Sequence, residues 1–453
     1  MPLSFYSFVR KSCVILCLLI AHNLFCQQNF QLPNSLSKSK IKFQLVNNLV
    51  VLPVIVNGVE LSFILDTGVG STIIFSLENR DSLKLKNATK IFLRGLGEDE
   101  PIEAVKSVHN QVKIGDAISR NHTIYLVYDQ SINFSPRMGF PIHGIIGYDF
   151  FKDFAVEMNY ARERITIKPP GGFRVKKCRK CFTTSLKFLD GKRPFMDIKH
   201  FTSKGVVNLN MLIDSGSGSG LWLFENEALG IEVPQQSFRD FLGRGFSGDI
   251  YGSNAKISSL KIGPFELKNV TTSFPDSIYL TEISVKERQG SIGGAVLKRF
   301  NVTYDYQKGR ITFKKNKYFK KPFSYNKSGL TIQHNGRILS KQPEFSKVAQ
   351  SGFNIVKSND GKVKSINAIE DILVQYAFQP KYEIVEIRQN SPGDKAGLFK
   401  GDVIIGVNGR NSINYSLSEI NDLFYQEEGK KIKLTVDRNG VIMTFTFFLE
   451  KVL

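Results

Sequence analysis

The sequence predicts a mainly β protein in which two related lobes are followed by a smaller α+β module. Two observations support this prediction. Segments of the first part of the chain recur later in the same order, whereas the residues beyond about 325 match neither copy. Both copies consist of short apolar runs separated by turn residues, and few stretches show sustained helical periodicity. With 453 residues, the chain is long enough for such a division into domains.

The N-terminus is expected to direct export. Arg10 and Lys11 precede the apolar run CVILCLLI at 13–20, and polar residues follow at 26–29. Because this run is too short to span a bilayer, residues 1–26 are predicted to be a cleaved signal peptide. No later stretch is long and apolar enough for a membrane helix. We therefore expect a periplasmic, cell-surface or secreted protein whose mature chain has no transmembrane segment.

The cysteines allow several interpretations. Three of the five lie in or beside the signal segment, which leaves Cys178 and Cys181 in the sequence CRKC. This spacing suits a local disulfide, a redox motif, half a zinc site or an inert pair. No second cysteine pair and no paired histidines supply further zinc ligands. A disulfide or an inert pair is therefore favoured, and neither a metal nor a cofactor is expected.

The formal net charge of +20 raises nucleic acid as a partner. The basic residues are nevertheless scattered along every segment, with mild clusters at 173–180 and 313–322 that flank the expected domain joints. We therefore expect a solvated basic surface that favours acidic surfaces, and no nucleic-acid interface.

The internal repeat is clearest around two aspartates. The sequence LSFILDTGVGSTIIF at 61–75 parallels LNMLIDSGSGSGLWLF at 209–224, so that Asp66 and Asp214 lie 148 positions apart. Further along, GIIGYDFFKDF parallels GSIGGAVLKRF at an offset of 146. Matched segments in the same order imply two copies of one structural unit.

The repeat divides this part of the chain into an N-terminal lobe at 41–170, an interlobe linker at 171–189 and a C-terminal lobe at 190–315. Asn57-Gly58 is expected to form a tight hairpin turn because both residue types tolerate positive φ, and the second copy has a longer turn at 201–205. Short helices are expected at 74–82, 147–153, 223–229 and 293–299.

Each aspartate follows an apolar strand, in FILDTG and in MLIDSG. A buried strand carries the aspartate inward, and the following glycine lets the chain turn while its amide approaches the carboxylate. If the two loops meet between the lobes, Asp66 and Asp214 come within hydrogen-bonding distance. Like charges this close cannot both ionise, so the pair shares one proton and acts as a coupled acid and base. Such a pair can activate a water that attacks a peptide carbonyl.

With these motifs, residues 41–315 resemble the pepsin-like and retropepsin-like aspartic proteases. The resemblance rests on the two Asp-Thr/Ser-Gly motifs, on IIG and SIG further along each copy, and on a glycine-rich segment between them. It implies an aspartic-type endopeptidase with a two-lobed acid protease fold and Asp66 and Asp214 as catalytic residues. The short lobes are more similar to fused retropepsin subunits than to pepsin, which implies a monomer that forms a pseudo-dimer.

The resemblance also assigns roles to neighbouring residues. It places Thr67, Gly68, Ser215 and Gly216 in the active-site loops, where the hydroxyl groups hold each loop to its counterpart. The candidate flaps that cover the substrate are FLRGLGEDEPIEAV at 92–105 and FLGRGFSGDIYGSNA at 241–255. Their candidate substrate-binding residues are Gly95, Gly97, Gly245 and Phe246.

Three positions depart from the family pattern. Val69 stands where pepsins have a serine, Ser291 stands where an apolar residue is expected, and the first flap has no tyrosine at the pepsin position. These departures concern the pH optimum and the substrate preference more than the fold.

The C-terminal module at 325–453 resembles a PDZ domain of the bacterial type. SPGDKAGL opens a short helix, GDVIIGVNG supplies a strand and a turn, a helix is expected near 416–426, and Asn439-Gly440 joins two closing strands. PDZ domains bind an extended peptide, often a C-terminus, as an added strand. The segment at about 338–380 is an unexplained insertion. The candidate carboxylate loop and strand are KSGLTI at 327–332, with peptide-binding residues Gly329, Leu330 and Ile332.

Other functions fit less well. The Gly-Ser-Gly-Ser-Gly run at 216–220 lacks the G-x-G-x-x-G spacing, the lysine of a P-loop and the G-x-S-x-G elbow of serine hydrolases. The alternative that stays open is a catalytically inactive protease fold in which the aspartates only cap turns. The chain would then be a binding or scaffold protein with a PDZ domain.

Overall fold

The structure is a computed structural model. It describes residues 29–75, 77, 83–93, 102–127, 133–170, 178–245, 248–280, 288–343, 352–357, 363–369 and 374–453. The chain forms two compact units, one built from the residues up to Lys327 together with Lys451–Leu453, and one from Ser328–Glu450. The predicted signal peptide at 1–26 lies outside the described residues. Within the described ranges, no helix has the length and apolar character that a membrane span requires.

The first unit is built mainly from strands. In chain order they are β1 (Ser39–Lys42), β2 (Gln44–Val46), β3 (Leu49–Val56), β4 (Val59–Leu65), β5 (Thr72–Ile74), β6 (Ala88–Leu93), β7 (Ile102–Ile114), β8 (Ala117–Val127), β9 (Gly144–Ile146), β10 (Ala155–Asn159), β11 (Arg164–Lys168), β12 (Cys181–Ser185), β13 (Lys187–Leu189), β14 (Arg193–Thr202), β15 (Gly205–Ile213), β16 (Leu221–Leu223), β17 (Ser237–Gly245), β18 (Gly248–Ile262), β19 (Phe265–Pro275), β20 (Gly290–Ile292), β21 (Phe300–Asp305) and β22 (Arg310–Lys315). Its described α-helices are α1 (Ser135–Met138), α2 (Tyr148–Phe151) and α3 (Gly294–Leu297). Single 3-10 turns occur at Tyr160–Arg162, Glu227–Leu229, Ser277–Tyr279 and Tyr306–Lys308.

The two lobes have the same strand order. The sheet of the N-terminal lobe runs β2-β3-β4-β9-β5-β8-β7-β6, and that of the C-terminal lobe runs β13-β14-β15-β20-β16-β19-β18-β17. In each lobe, the strand that precedes the aspartate pairs in parallel with the strand of the IIG or SIG element. Every strand of one sheet therefore has a counterpart in the other, and the mainly β, two-lobed fold class predicted from the repeat is confirmed.

A third sheet joins the lobes, with the order β1-β11-β10-β21-β22-β12. Its central pair is β10 and β21, one strand from each lobe, in which Met158 lies opposite Val302. Fully buried aromatic side chains pack around this sheet, among them Tyr160, Tyr304 and Phe313. The sheet fixes the position of one lobe against the other, and so of one aspartate against the other.

The segment expected to link the lobes, 171–189, is partly strand. Its first part, 171–177, lies outside the described residues, and Cys178 forms a disulfide with Cys181. The following residues form β12 and β13, because Phe182 and Phe188 pack against the hydrophobic core. In the third sheet, β12 takes the place in the C-terminal half that β1 takes in the N-terminal half. The cysteine pair is thus a local disulfide, one of the interpretations that the sequence left open.

The hairpin turns agree with the sequence more closely than the helices do. Asn57 (φ 49°) and Gly58 (φ 94°) join β3 to β4, and Asn439 (φ 52°) and Gly440 (φ 87°) form the corresponding turn in the second unit. Of the predicted helices, those at 147–153 and 293–299 contain α2 and α3, while that at 223–229 contains only a 3-10 turn. The one at 74–82 begins within β5, and most of its remaining residues are not described.

The second unit contains β23 (Leu330–Pro343), β24 (Gly352–Lys357), β25 (Val363–Ile369), β26 (Val374–Ile387), β27 (Val403–Val407), β28 (Arg410–Asn411), β29 (Lys431–Arg438), β30 (Val441–Phe448), α4 (Pro392–Lys395) and α5 (Leu417–Leu423). A 3-10 turn lies at Ser412–Asn414. The sheet order is β23-β26-β27-β29-β30, and β28 pairs with β27. The insertion is strand in its described parts: β23 and β26 continue into it as an antiparallel pair, and β24 pairs with β25.

Candidate active site

The two aspartate loops begin where adjacent parallel strands end. The backbone N–H of Asp66 donates to the carbonyl of Ile146 at 2.9 Å, and that of Asp214 donates to Ile292 at 3.0 Å. Each loop therefore remains hydrogen-bonded to the IIG or SIG strand after β4 or β15 has ended. This explains why the sequence carries the two motifs at matching distances in both copies.

Thr67 and Ser215 hold the two loops to one another. The N–H of Thr67 donates to Oγ of Ser215 at 3.0 Å, and the N–H of Ser215 donates to Oγ1 of Thr67 at 3.0 Å. Each hydroxyl also donates to the strand of the opposite lobe, Thr67 to the carbonyl of Ile213 at 2.5 Å and Ser215 to that of Leu65 at 2.9 Å. Both side chains are buried. These four reciprocal bonds couple the loops.

Gly147 and Gly293 allow the closest approach behind the loops. A Cβ on Gly147 would lie 2.1 Å from the carbonyl oxygen of Asp66, and one on Gly293 would lie 2.4 Å from that of Ser219. Real Cβ atoms do not come this close to a backbone oxygen, so a larger residue would displace the loop. The last glycine of each IIG or SIG element is therefore required by the packing.

The carboxylates of Asp66 and Asp214 share one hydrogen-bond donor, the backbone amide of Gly216. The N–H of Gly216 lies 3.2 Å from Oδ1 of Asp66 and 3.1 Å from Oδ1 of Asp214, and the N–H of Gly68 donates to Oδ1 of Asp66 at 2.7 Å. The two carboxyl groups also interact with each other, since each one shifts the pKa of the other. The structure thus brings together the six predicted residues of the two loops, although they come from sites 148 positions apart.

The electrostatics of the pair favour one shared proton. Burial raises the pKa of Asp66 to about 7, with a further contribution from the neighbouring Asp214 and opposing contributions from the Gly68 and Gly216 amides. Burial also raises the pKa of Asp214, against the lowering effects of the Arg288 charge and the Gly216 amide. The two carboxyl groups are coupled, so the pair holds one proton between them, and the Arg288 charge favours the ionised form of Asp214.

Arg288 is a residue that the sequence interpretation missed. It lies two positions before β20, with its guanidinium carbon 5.4 Å from the centroid of the Phe224 ring. At the repeat offset of 146, its counterpart in the N-terminal lobe is Ile142, which is fully buried. A charge at a position that is apolar in the other copy is the signal that could have identified it.

Two departures from the family pattern have a structural setting. Val69 packs against a buried apolar cluster that includes Ile64, Met138 and Ile145, and supplies no hydroxyl to the outer oxygen of Asp66. Ser291 is 5% exposed, in the sheet between Leu212 and Trp222.

The described residues contain no group of three or more histidine, cysteine or acidic side chains that could hold a metal ion.

The candidate flaps are hairpins where they are described. Strands β6 and β7 form the first and β17 and β18 the second. Gly245 ends β17 opposite Gly248, whereas Gly95, Gly97 and Phe246 lie outside the described residues. The position of these three relative to the aspartates therefore stays a prediction.

In the second unit, the predicted peptide-binding segment at 327–332 leads into the edge strand β23. Gly329 has a φ of 76°, and a Cβ there would lie 2.1 Å from the side chain of Ser391. The side chains of Leu330 and Ile332 lie in the hydrophobic core, with 0% and 3% exposed. These two residues therefore present their backbone, and not their side chains, along the strand. Helix α5 packs beside β23.

Comparison with known families agrees with both modules. Residues 52–150 match the family model described as aspartyl protease, and residues 383–438 match that described as PDZ domain. The first match includes Asp66 and its loop, and the second includes β27, β28 and α5. The resemblance drawn from the motifs is confirmed. The C-terminal lobe lies outside the protease match, and its similarity to the first lobe rests on the shared strand order. No curated protein sequence matches the chain.

Proposed function

We propose that the chain is an exported aspartic endopeptidase in which Asp66 and Asp214 hydrolyse peptide bonds through an activated water. The observation that carries this proposal is the arrangement of the two carboxylates, which both lie within hydrogen-bonding distance of the same Gly216 amide. Turn-capping aspartates need only their own loop amides, whereas these two share a donor across the lobes. The aspartyl protease match over 52–150 supports the same class.

The proton balance follows from the charges around the pair. Asp214, ionised beside Arg288, accepts a proton from the water as the water oxygen attacks the peptide carbon. Asp66 donates its proton to the carbonyl oxygen, which gives a neutral tetrahedral intermediate. When the C–N bond breaks, Asp214 gives its proton to the leaving amine and Asp66 regains its own from the hydroxyl group. The pair then holds one proton, as it did at the start.

The second unit is proposed to bind a peptide or a partner beside β23. This strand lies at the edge of its sheet, and α5 flanks it, so an extended peptide can add as a further strand. The PDZ match supports peptide binding. Export is proposed from the charge and apolar pattern of residues 1–26.

The test is cleavage of a peptide library by the purified chain from residue 27 onward. We expect cleavage at a pH at which the carboxyl pair holds one proton, and none by the variant carrying both Asp66→Asn and Asp214→Asn. Cleavage by the double variant would refute the dyad. Absence of cleavage by the unaltered chain at every pH would favour the binding-protein alternative.

A further inference from the structure

The first unit contains a basic cavity that the proposed hydrolysis does not use. Its volume is about 860 Å³, and it lies between the paired strands β18 and β19, the segment at 319–323, and residues Lys451 and Leu453. None of its lining residues belongs to the two aspartate loops. Cavities of about 300–1,000 Å³ accommodate small organic ligands. Most of the segment at 319–323 belongs to the basic cluster at 313–322, to which peptide hydrolysis assigns no role.

The charged side chains around the cavity are almost all positive. They are one glutamate, Glu266, and five lysines: Lys256, Lys268, Lys320, Lys321 and Lys451. Within the part of the chain that the structure describes, none of these lysines forms an ion pair with an acidic side chain, and Lys256 donates to the carbonyl oxygen of Leu453 at 2.8 Å. Burial lowers the pKa of Lys256, and the charges of Lys451 and Lys327 lower it further. An anion in the cavity would offset this repulsion.

Arg299 fixes the wall formed by the segment at 319–323. Its side chain is 3% exposed, and its guanidinium carbon lies 3.5 Å from the centroid of the Phe323 ring. The guanidinium donates to four backbone carbonyls, those of Ala295, Tyr318, Lys321 and Pro322. Burial lowers the pKa of Arg299 to about 10, so the group stays charged at neutral pH. The buried arginine therefore holds the wall in place and adds to the positive potential beside it.

Tyr325 fixes the same segment against the strands of the opposite wall. Its hydroxyl donates to the carbonyl of Ala255 at 2.6 Å and accepts the N–H of Thr272 at 3.0 Å. Ala255 directly precedes Lys256 on β18, and Thr272 lies on β19. The segment is thus held at both ends, and the cavity is preformed.

The most deeply buried part of the lining is apolar. Leu267 and Phe323 are 3% and 8% exposed, and the partly buried Phe319 has its ring 5.4 Å from that of Phe300. The side chains of Lys268, Lys320 and Lys321, in contrast, are exposed. The cavity therefore presents an apolar surface beneath a rim of ammonium groups.

The choice of lysine favours phosphate as the anion. The cavity lining contains no arginine, whose planar fork suits bidentate binding of a carboxylate. Lysine binds phosphate as a point charge and needs no fixed geometry. Several ammonium groups around one space can therefore surround a phosphate from different directions.

We propose that this cavity binds a phosphate-bearing amphiphile, with the phosphate among the lysines and the apolar part against Leu267, Phe319 and Phe323. An anionic phospholipid of a membrane and a free amphiphile of the same kind share this chemistry. The inference goes beyond the proposed function and does not depend on it. The chain carrying both Asp66→Asn and Asp214→Asn should bind the amphiphile as the unaltered chain does.

The first test is calorimetric titration of the chain from residue 27 onward with monomeric dihexanoyl phosphatidylglycerol. We expect binding at least about tenfold tighter than that of glycerol phosphate, which lacks the apolar part, and of dihexanoyl phosphatidylcholine, which lacks the net charge. The triple variant Lys268→Gln, Lys320→Gln and Lys321→Gln should bind phosphatidylglycerol at least about tenfold more weakly, because each lysine near an anionic lipid contributes about 1 kcal/mol.

The matched control makes the same charge change on exposed residues of the N-terminal lobe: Lys40→Gln, Lys42→Gln and Lys113→Gln. It should bind within about twofold of the unaltered chain. An equal loss in both triple variants would overturn the proposal, because binding would then follow net charge alone. Equal affinities for glycerol phosphate and phosphatidylglycerol would overturn the apolar contact. Binding of hexaglutamate without binding of phosphatidylglycerol would overturn the proposal in favour of an acidic peptide site.

The second test distinguishes the two sources of the ligand by sedimentation with vesicles. Sedimentation with phosphatidylglycerol vesicles, but not with phosphatidylcholine vesicles, that is lost in the cavity triple variant would identify a membrane lipid. Binding of the monomer without sedimentation would identify a free amphiphile. Binding of neither the monomer nor the vesicles would overturn the proposal, whether or not the chain cleaves peptides.

Discussion

Replacing Thr67 by valine removes the hydroxyl that couples the two aspartate loops while nearly preserving the side-chain volume. Thr67 is fully buried, and its Oγ1 accepts the N–H of Ser215 at 3.0 Å and donates to the carbonyl of Ile213 at 2.5 Å. Valine leaves both backbone groups without this partner in a place closed to water. Each such buried group costs about 1–3 kcal/mol, so we expect the free energy of unfolding to fall by about 2–6 kcal/mol.

The control is Thr183→Val, the same chemical change on an exposed strand position. The Thr183 hydroxyl contacts that of Thr312 at 2.8 Å, and water can replace it, so the expected loss is below about 1 kcal/mol. Urea unfolding followed by the fluorescence of Trp222, the single tryptophan of the chain, measures both variants. If Thr67→Val unfolds at the same urea concentration as Thr183→Val, the reasoning about the coupled loops is wrong.

Three further predictions follow from the same site. Folding raises the pKa of Asp66 from 3.8 to about 7, so its contribution to the free energy of unfolding should be complete below pH 3.8 and lost as the pH rises through about 7. In urea unfolding across this range, the free energy of unfolding should fall more steeply with pH for the unaltered chain than for Asp66→Asn. Equal slopes for the two proteins would contradict this prediction. Arg288→Gln removes the positive charge that lowers the pKa of Asp214, so the acid limb of the pH–rate profile should move to higher pH. The control Arg239→Gln should leave this limb in place. If the limb does not move in Arg288→Gln, Arg288 does not influence the ionisation of Asp214. Gly147→Ala places a Cβ 2.1 Å from the carbonyl oxygen of Asp66. Because the Asp66 loop must then shift, both the thermal stability and kcat should fall. Unchanged values of both would show that the loop tolerates the added Cβ.

Much of the site could be predicted from sequence because its determinants are local and occur twice. An apolar strand followed by Asp-Thr-Gly or Asp-Ser-Gly specifies the loop, and the later IIG or SIG strand specifies its neighbour. The repeat then supplies the second half of the site and the topology of the second sheet. Hairpins with Asn-Gly turns were predictable for the same reason, since the positive φ values depend on two adjacent residues.

The features that the sequence did not reveal depend on contacts between distant segments. Arg288 acts through charge and ring contacts made only after the lobe has folded, and its one mark in the sequence is the apolar residue at the matching position of the other copy. The sequence predicts a linker where β12 lies, because its partner β22 is more than a hundred residues further along the chain and its short counterpart β1 has little pattern. The insertion in the second unit carries no sequence signal for the antiparallel pairing of β23 with β26.

The measurement that tests the central claim most directly is the rate at which Asp66→Asn and Asp214→Asn cleave the best peptide found for the unaltered chain. If the two carboxylates share the acid and base roles, each variant should lose at least about a hundredfold in kcat, because one proton transfer is removed from the mechanism. Both should retain the unfolding transition that Trp222 reports. A variant of either aspartate that keeps a tenth or more of the original kcat would contradict the account.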